Sequence, residues 1–237
     1  MRIANCELVQ VMSSSTPSPD PQEFRPFLTW QDIIDWAQSH YRERIFSKDE
    51  RIPTRPGLLY LVRQGAVRIV GSMQASQTEN PPPSETIEKA FLGFVGAGQP
   101  FEIVVQSPFS LQAYAHVEET AVIWMYWQEL DNWTHLRREV LEIFRYQHQR
   151  KQLWLCLLGQ RRTIDRLVGF LKLSIEEYGE PSDRGYCLPY PLTHAQIGSA
   201  IGATRVTVTR LMGRLRRQGL ISLEGENLIC WPNKSAI

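Results

Sequence analysis

Between Leu192 and Gly219 the chain reads LTHAQIGSAIGATRVTVTRLMGRLRRQG, and this stretch narrows the possible folds more than any other. The pattern predicts two short helices joined by a tight turn. Thr193 caps the first, its hydroxyl accepting from a backbone N–H that a helix start leaves without a partner. Ile197 and Ile201, four residues apart, share one inward face. Gly202 follows, a residue that tolerates the left-handed geometry common at helix C-termini. Thr204 then caps a second helix whose apolar positions Val208, Leu211 and Leu215 again repeat at three and four. The small residues Gly198 and Ala203 let the two helices approach closely. These features together predict a helix-turn-helix.

The second helix holds the chemistry. Arg205 and Arg210 lie five residues apart, about 140° around the axis, so they straddle a groove edge. With the helix N-terminus in a major groove, Arg205 aims at guanine O6 and N7, a bidentate pair that discriminates by roughly 1–3 kcal/mol, and Val206 touches a thymine methyl. Arg214, Arg216 and Arg217 stay further back, near phosphates or solvent. The competing account is a solvated basic face. Capping, glycine placement and apolar spacing all agree with DNA reading instead.

The segment Ala203-Thr-Arg-Val-Thr-Val-Thr-Arg-Leu211 resembles the recognition helix of the CRP/FNR transcription regulators, and within them that of the cyanobacterial nitrogen regulators. The resemblance runs back through Arg166-Leu-Val-Gly-Phe-Leu171 and forward to Leu220-Ile-Ser222, covering about the last third of the chain. It implies a homodimer on a two-fold GTA…TAC sequence, with double-stranded DNA and RNA polymerase as partners. Arg205, Val206 and Arg210 stand at the family's base-facing positions, and Thr193, Thr204 and Thr207 at backbone-contacting ones. His194, Thr209 and Arg214 are expected beside these on the DNA backbone.

Bulk properties agree with a local signal. Net charge is +1, from 26 Lys/Arg and 25 Asp/Glu, so there is no global polycation. From Thr193 to Ile237, however, six Lys/Arg stand against two Asp/Glu. The length of 237 residues suits one large domain or two smaller ones. Cys6, Cys156, Cys187 and Cys230 are scattered, with no Cys-x-x-Cys pair. That spacing predicts neither a zinc site nor a disulfide framework, and it suits a reducing cytoplasm. No apolar run approaches the ~20 residues of a membrane span, and the N-terminus has no signal-peptide core. Nucleophile–base pairs, phosphate loops and metal spacings are missing, so neither an enzyme nor a cofactor is expected.

Residues 1–26 read as a Ser/Pro-rich tail that buries too little apolar surface to order itself, and Cys6 has no companion cysteines for an iron–sulfur site. Thr29–Ala37 predicts a short helix, with Thr29 as cap, Asp32 at the capping-box position, and Trp30, Ile33, Ile34 and Ala37 as its apolar side. Short strands follow. Gly57–Gly71 reads as a hairpin turning around Arg63-Gln-Gly65. Three prolines in the loop of residues 76–85 rule out a central strand there. Strands resume at Ala90–Val95, Phe101–Gln106, Gln112–Val117 and Ala121–Trp127, a spacing that suggests a roll or barrel.

The family resemblance implies that this roll is cyclic-nucleotide-binding-like, with a pocket built on a Phe-Gly-Glu turn and a later Arg-Ser pair. Here the turn reads Gly98-Gln-Pro-Phe-Glu-Ile-Val-Val105, with Glu102 where glycine is expected. Glycine lets backbone approach an anion, whereas a carboxylate repels phosphate. Ser107–Ala113 contains no arginine, and Phe109 stands where the nitrogen regulators carry one for 2-oxoglutarate. Gln147 and Gln152 replace an arginine and a glutamate that hold the same ligand. A degenerate pocket of Phe101, Glu102, Ile103, Val104, Gln147 and Gln152 follows, with weak or absent cAMP binding and no obvious anchor for 2-oxoglutarate.

Asp131 to about Leu158 predicts one long helix. Leu136, Val140, Ile143, Gln147, Arg150, Trp154 and Leu157 alternate by four and three, as in a coiled-coil seam. Leu136, Val140, Ile143, Gln147, Trp154 and Leu157 are accordingly the expected dimer interface. His148 and Cys156, eight apart on this helix, are a weak haem-ligand signal beside that assignment. Arg161–Tyr178 predicts the next helix, with Arg166, Leu167, Phe170, Leu171 and Ile175 in its stripe. Gly179–Gly185 is turn-rich and Tyr186–Leu188 begins a strand. Leu220–Leu223 and Asn227–Trp231 flank Glu224-Gly-Glu as a wing whose acidic tip favours packing over phosphate contact.

The expected class is therefore α+β. Its parts are a tail (1–26), a β-roll (27–130), a dimerisation helix (131–160) and a winged helix-turn-helix (161–237). The roll has either lost small-molecule control or accepts an unfamiliar ligand. A protein-interaction module that no longer reads bases is the alternative from another class.

Overall fold

The computed structural model describes residues 31–73, 89–104, 109–225 and 227–232. The tail, the Thr29 cap, Trp30, the side chain of Ile33, the proline loop at 76–85, residues 105–108 and Glu226 lie outside them. Helix α1 (Gln31–His40) precedes eight strands: β1 (Glu43–Phe46), β2 (Arg51–Ile52), β3 (Leu58–Gln64), β4 (Ala66–Met73), β5 (Ala90–Gly96), β6 (Pro100–Phe101), β7 (Phe109–Ala115) and β8 (Thr120–Tyr126). They form two antiparallel sheets in the orders β1-β8-β3-β6 and β2-β7-β4-β5.

The hairpin expected at Arg63-Gln-Gly65 is absent. β3 pairs with β8 and β6, while β4 pairs with β7 and β5, so the chain changes sheet between them. Gly65 makes the corner at φ +76°, where a Cβ would sit 2.8 Å from Thr120 Oγ1. A sheet-changing corner and a hairpin turn look alike locally, because they differ only in distant pairing partners. The strand expected at Phe101–Gln106 is likewise short: β6 ends at Phe101, and residues 102–104 leave the sheet.

A 3-10 turn (Trp127–Asn132) leads into α2 (Thr134–Leu158). The apolar run of β3 is buried on both faces, as continuous runs generally are. Tyr60 and Val62 point between the sheets with Phe46, Val67, Phe101 and Val122. Leu59 and Leu61 point the other way, into a core closed by Ile34 and Ala37 of α1 and by Leu136, Val140 and Ile143 of α2.

That packing corrects the expected dimer seam at Leu136, Val140 and Ile143. Leu136, Val140 and Ile143 are each 2 % exposed or less within one chain, so they have no surface left to give a partner. Gln147 donates to Pro100 O at 3.1 Å, Trp154 Nε1 donates to Ala200 O at 2.9 Å, and Leu157 leans over Gly169. A four–three stripe identifies an apolar face and says nothing of which molecule covers it. The face of α2 that remains exposed carries Leu141, His148, Gln152 and Leu155.

The C-terminal part comprises α3 (Thr163–Tyr178), β9 (Glu180–Ser182), β10 (Gly185–Cys187), α4 (His194–Ile201), α5 (Arg205–Arg217), β11 (Ser222–Glu224) and β12 (Leu228–Trp231). Its sheet runs β11-β12-β10-β9. Leu167, Phe170, Leu171, Ile197, Ile201, Val208, Met212, Leu215 and Ile229 form its core, and Phe91 enters from β5 of the roll. Cys187 and Cys230 are register partners on β10 and β12 and form a disulfide. The cysteine spacing predicted none. Antiparallel pairing erases the sequence separation of 43 between the two. Among the described residues no helix is long and apolar enough to cross a membrane.

Candidate nucleic-acid interface

The helix-turn-helix forms where its caps place it. Gln196 N donates to Thr193 Oγ1 at 3.2 Å, and the Gln196 side chain accepts from Thr193 N at 2.9 Å, a reciprocal box at the start of α4. Gly202 ends α4 in the left-handed conformation at φ 63°. The turn after it is tight: a Cβ on Gly198 would lie 2.5 Å from Ala203 O. Thr207 N then donates to Thr204 Oγ1 at 3.2 Å, starting α5.

Helix α5 divides its residues by face. Val208, Met212 and Leu215 are buried, and Leu211 is partly so. Arg205, Val206, Thr209, Arg210 and Arg214 are exposed. Val206 is 79 % exposed, an apolar side chain with almost nothing of its own chain to pack on. The three expected base readers thus stand together on the outer face at the start of the helix.

The expected backbone contacts are partly occupied with one another. Thr204 Oγ1 donates to Thr207 Oγ1 at 3.0 Å. Thr193 Oγ1 donates to Gln196 Oε1 at 3.0 Å. Thr209 Oγ1 donates to Arg205 O at 2.9 Å and meets His194 Nδ1 at 2.9 Å. Thr209 and His194 therefore tie α5 to the start of α4. Glu224, expected at the wing tip, is partly buried and accepts from Ser182 Oγ at 2.9 Å. Side-chain direction on a two-residue-period strand sends it inward.

Sequence reasoning missed the residue that holds the motif in place. The sequence pattern places Arg166 in the stripe of α3 without singling it out. Its guanidinium donates to Ile201 O at 2.8 Å, Gln160 O at 2.9 Å and Gly202 O at 3.4 Å, gripping the turn from α3. An arginine on an otherwise apolar helix face was the available signal, because a half-buried charge needs acceptors.

The motif is also docked on the roll. Phe91 N donates to Ser199 Oγ of α4 at 2.7 Å, and Tyr178 OH donates to Phe94 O at 2.9 Å. His116 Nε2 lies 2.8 Å from Pro191 O, with the Phe94 ring 4.5 Å away. Burial lowers the His116 pKa to about 4, against the opposing pull of its bond to Pro191.

Behind this junction lies a cavity of about 300 Å³ between β5, β6, α2 and α3. Phe101, Glu102 and Gln147 line it as expected. Ile103 is instead buried among the strands, Val104 faces solvent, and exposed Gln152 meets His148. Arg150, Lys151, Trp154, Glu177 and Tyr178 line it without having been expected to. Burial disfavours the Arg150 charge, but Glu177, Tyr146 and Glu176 outweigh it and hold its pKa above the ordinary value. Arg150 was assigned to the seam; it serves as an internal ion-pair partner, with Glu176 3.2 Å away.

Residues 165–236 match the Crp-like helix-turn-helix domain. The global nitrogen regulator of Synechococcus elongatus is 42 % identical over 71 residues, which are 30 % of this chain and 32 % of that protein. The chain thus aligns with about a third of that relative's length. The regulatory protein CysR of the same organism is 26 % identical over 185 residues, 73 % of this chain and 84 % of its own. The solved structure of FixK2 from Bradyrhizobium japonicum superposes with a TM-score of 0.63 at 21 % identity, covering 82 % of this chain and 94 % of that one.

Proposed function

We propose that this chain, whose residues 165–236 are a Crp-like helix-turn-helix domain on a Crp/FNR-type fold, is a transcription regulator that reads DNA as a homodimer. The observation that carries the reading is the outer face of α5. Arg205 and Arg210 flank an exposed Val206 on a helix whose inner face is fully packed. That arrangement fits a major groove, with the arginines on guanine edges and the valine on a thymine methyl. Two-fold pairing sets two such helices about one DNA turn (~34 Å) apart on a GTA…TAC palindrome. Thr207, Thr193, His194, Thr204, Thr209 and Arg214 line the phosphate side, and bound RNA polymerase is the further partner of such a regulator. In this reading residues 27–130 are the roll, 131–160 the dimer helix and 161–237 the reader, and the dimer surface is the exposed face of α2 with Leu141 and Leu155.

A second reading, an effector-gated regulator, is favoured by the cavity, whose Arg150 and Lys151 supply cationic groups beside an apolar lining. Glu102 and Glu177 line the same space, which disfavours a nucleotide phosphate.

Fluorescence anisotropy of the ligand-free protein against a GTA…TAC duplex and a scrambled one, at one fixed near-physiological salt, tests the proposal, since phosphate contacts make affinity salt-dependent. Tight binding to the palindrome alone is expected. Equal binding to both duplexes refutes reading of this operator in the ligand-free state and hands the question to the effector-gated reading.

A further inference from the structure

A second cluster of reactive groups lies in the wing sheet. The Glu224 carboxylate at the end of β11 rests against both sulfurs of the Cys187–Cys230 pair. Its Oε2 is 3.3 Å from Cys187 Sγ and 3.6 Å from Cys230 Sγ. Ser182 Oγ completes the group, 2.9 Å from the same oxygen and 3.1 Å from Cys187 Sγ. Cys230 is fully buried and Cys187 is 6 % exposed, while Glu224 and Ser182 are half-buried, so access is from the carboxylate side. Among the described residues Glu224 enters no ion pair. A disulfide has no hydrogen to donate to it, so in the oxidised state the carboxylate gains nothing from the sulfurs it touches.

Reduction changes what the three residues offer. We propose that Cys187, Cys230 and Glu224 form a redox-gated site for a thiophilic divalent cation of the zinc class. A dithiol reductant attacks one sulfur to give a mixed disulfide, and its second thiol then releases the protein. The net transfer is two electrons and two protons, leaving two cysteine thiols and an oxidised reductant. Cation binding displaces those two protons, because thiolate is the ligand form. In a tetrahedral site with Zn–S about 2.3 Å and Zn–O about 2.0 Å, sulfur and oxygen stand about 3.5 Å apart and the two sulfurs about 3.8 Å. The two sulfur–oxygen separations here already bracket the first figure. Only the sulfurs must move apart, and cleavage of their bond is what allows it. Ser182 Oγ, or a water beside it, is the nearest fourth ligand. Disulfide and bound cation exclude each other, so the site reports redox state through its occupancy.

The test uses the full-length protein, oxidised in one sample and reduced in another with a phosphine, which adds no competing thiol. A thiol count and circular dichroism establish that the second sample is reduced and folded. Titration with Co²⁺ is expected to give one ion per chain and a sulfur-to-cobalt charge-transfer band, both abolished by Zn²⁺, in the reduced sample alone. Cys187→Ser removes the band. Glu224→Gln, which keeps both thiols, weakens Co²⁺ by at least about tenfold, the loss seen even for outer-shell partners. A reduced, folded protein without the band overturns the proposal. So does a band that survives in the Cys187→Ser/Cys230→Ser double variant, or a disulfide that cannot be reduced without unfolding.

Discussion

The helix-turn-helix half and the roll-and-helix half of this molecule were built from equally clear apolar patterns, yet they answer differently to sequence. In the half from Thr163 onward, each determinant acts within a few residues. Thr193 and Gln196 cap one another, Gly202 turns the chain, and Thr204 starts the next helix. In the roll and α2, the deciding partner lies far away in the chain. β3 and β4 separate into different sheets, and the stripe of α2 is covered by β3, β8 and α1 of the same chain. Periodicity locates a buried face in both halves. It identifies the covering surface only where that surface is close in sequence.

The sharpest way to break this comparison is at Ile143. If its face is intrachain core, Ile143→Ala lowers unfolding free energy by roughly 2–5 kcal/mol. Denaturation midpoints measured over a wide range of protein concentration would show the same loss at every concentration. A loss that vanishes at high concentration would return the residue to a dimer seam. The exposed Leu155 provides the opposite case: Leu155→Ser should leave that free energy within about 0.5 kcal/mol in the monomer.

The joint between the halves gives the next largest effect. His116 is held neutral, with its folded pKa, about 4, below the ordinary 6.5. The unfolded chain therefore binds more protons between those values, and stability falls as pH drops from about 6.5 to about 4, by about 3 kcal/mol in all. About 2 kcal/mol of that falls between pH 7 and pH 5. Comparing wild type with His116→Gln in that window cancels the shared carboxylates. Parallel stability curves would mean that His116 is solvated and the Pro191 contact does not form.

What was legible follows the same division. Helix α5, its cap, the wing strands and the outer positions of Arg205, Val206 and Arg210 were readable because helix faces and caps are local properties. The burial of Leu136, Val140 and Ile143 was readable as well, though not its owner. Three features were not legible. Arg166 holds carbonyls more than 30 residues away in the chain, Arg150 pairs with Glu176 of the next helix, and Cys187 meets Cys230 only through sheet register. Each is a pair of chemically ordinary residues whose meaning comes from a fold-level contact.

Smaller effects sharpen the local side of the comparison. If Arg205 reads a base, Arg205→Ala costs roughly 1–3 kcal/mol, which anisotropy would register as about a five- to 150-fold loss on the palindrome with little change on scrambled duplex. Uniform weakening on both duplexes would make Arg205 a phosphate contact instead. Thr193→Ala probes the cap beneath it and should cost about 1 kcal/mol of stability. The partner substitution Gln196→Ala breaks the other half of the box while leaving the threonine hydroxyl on its amide. Because both changes remove one reciprocal unit, their effects should sum to more than the double variant loses. Strict additivity would show that the two caps act independently.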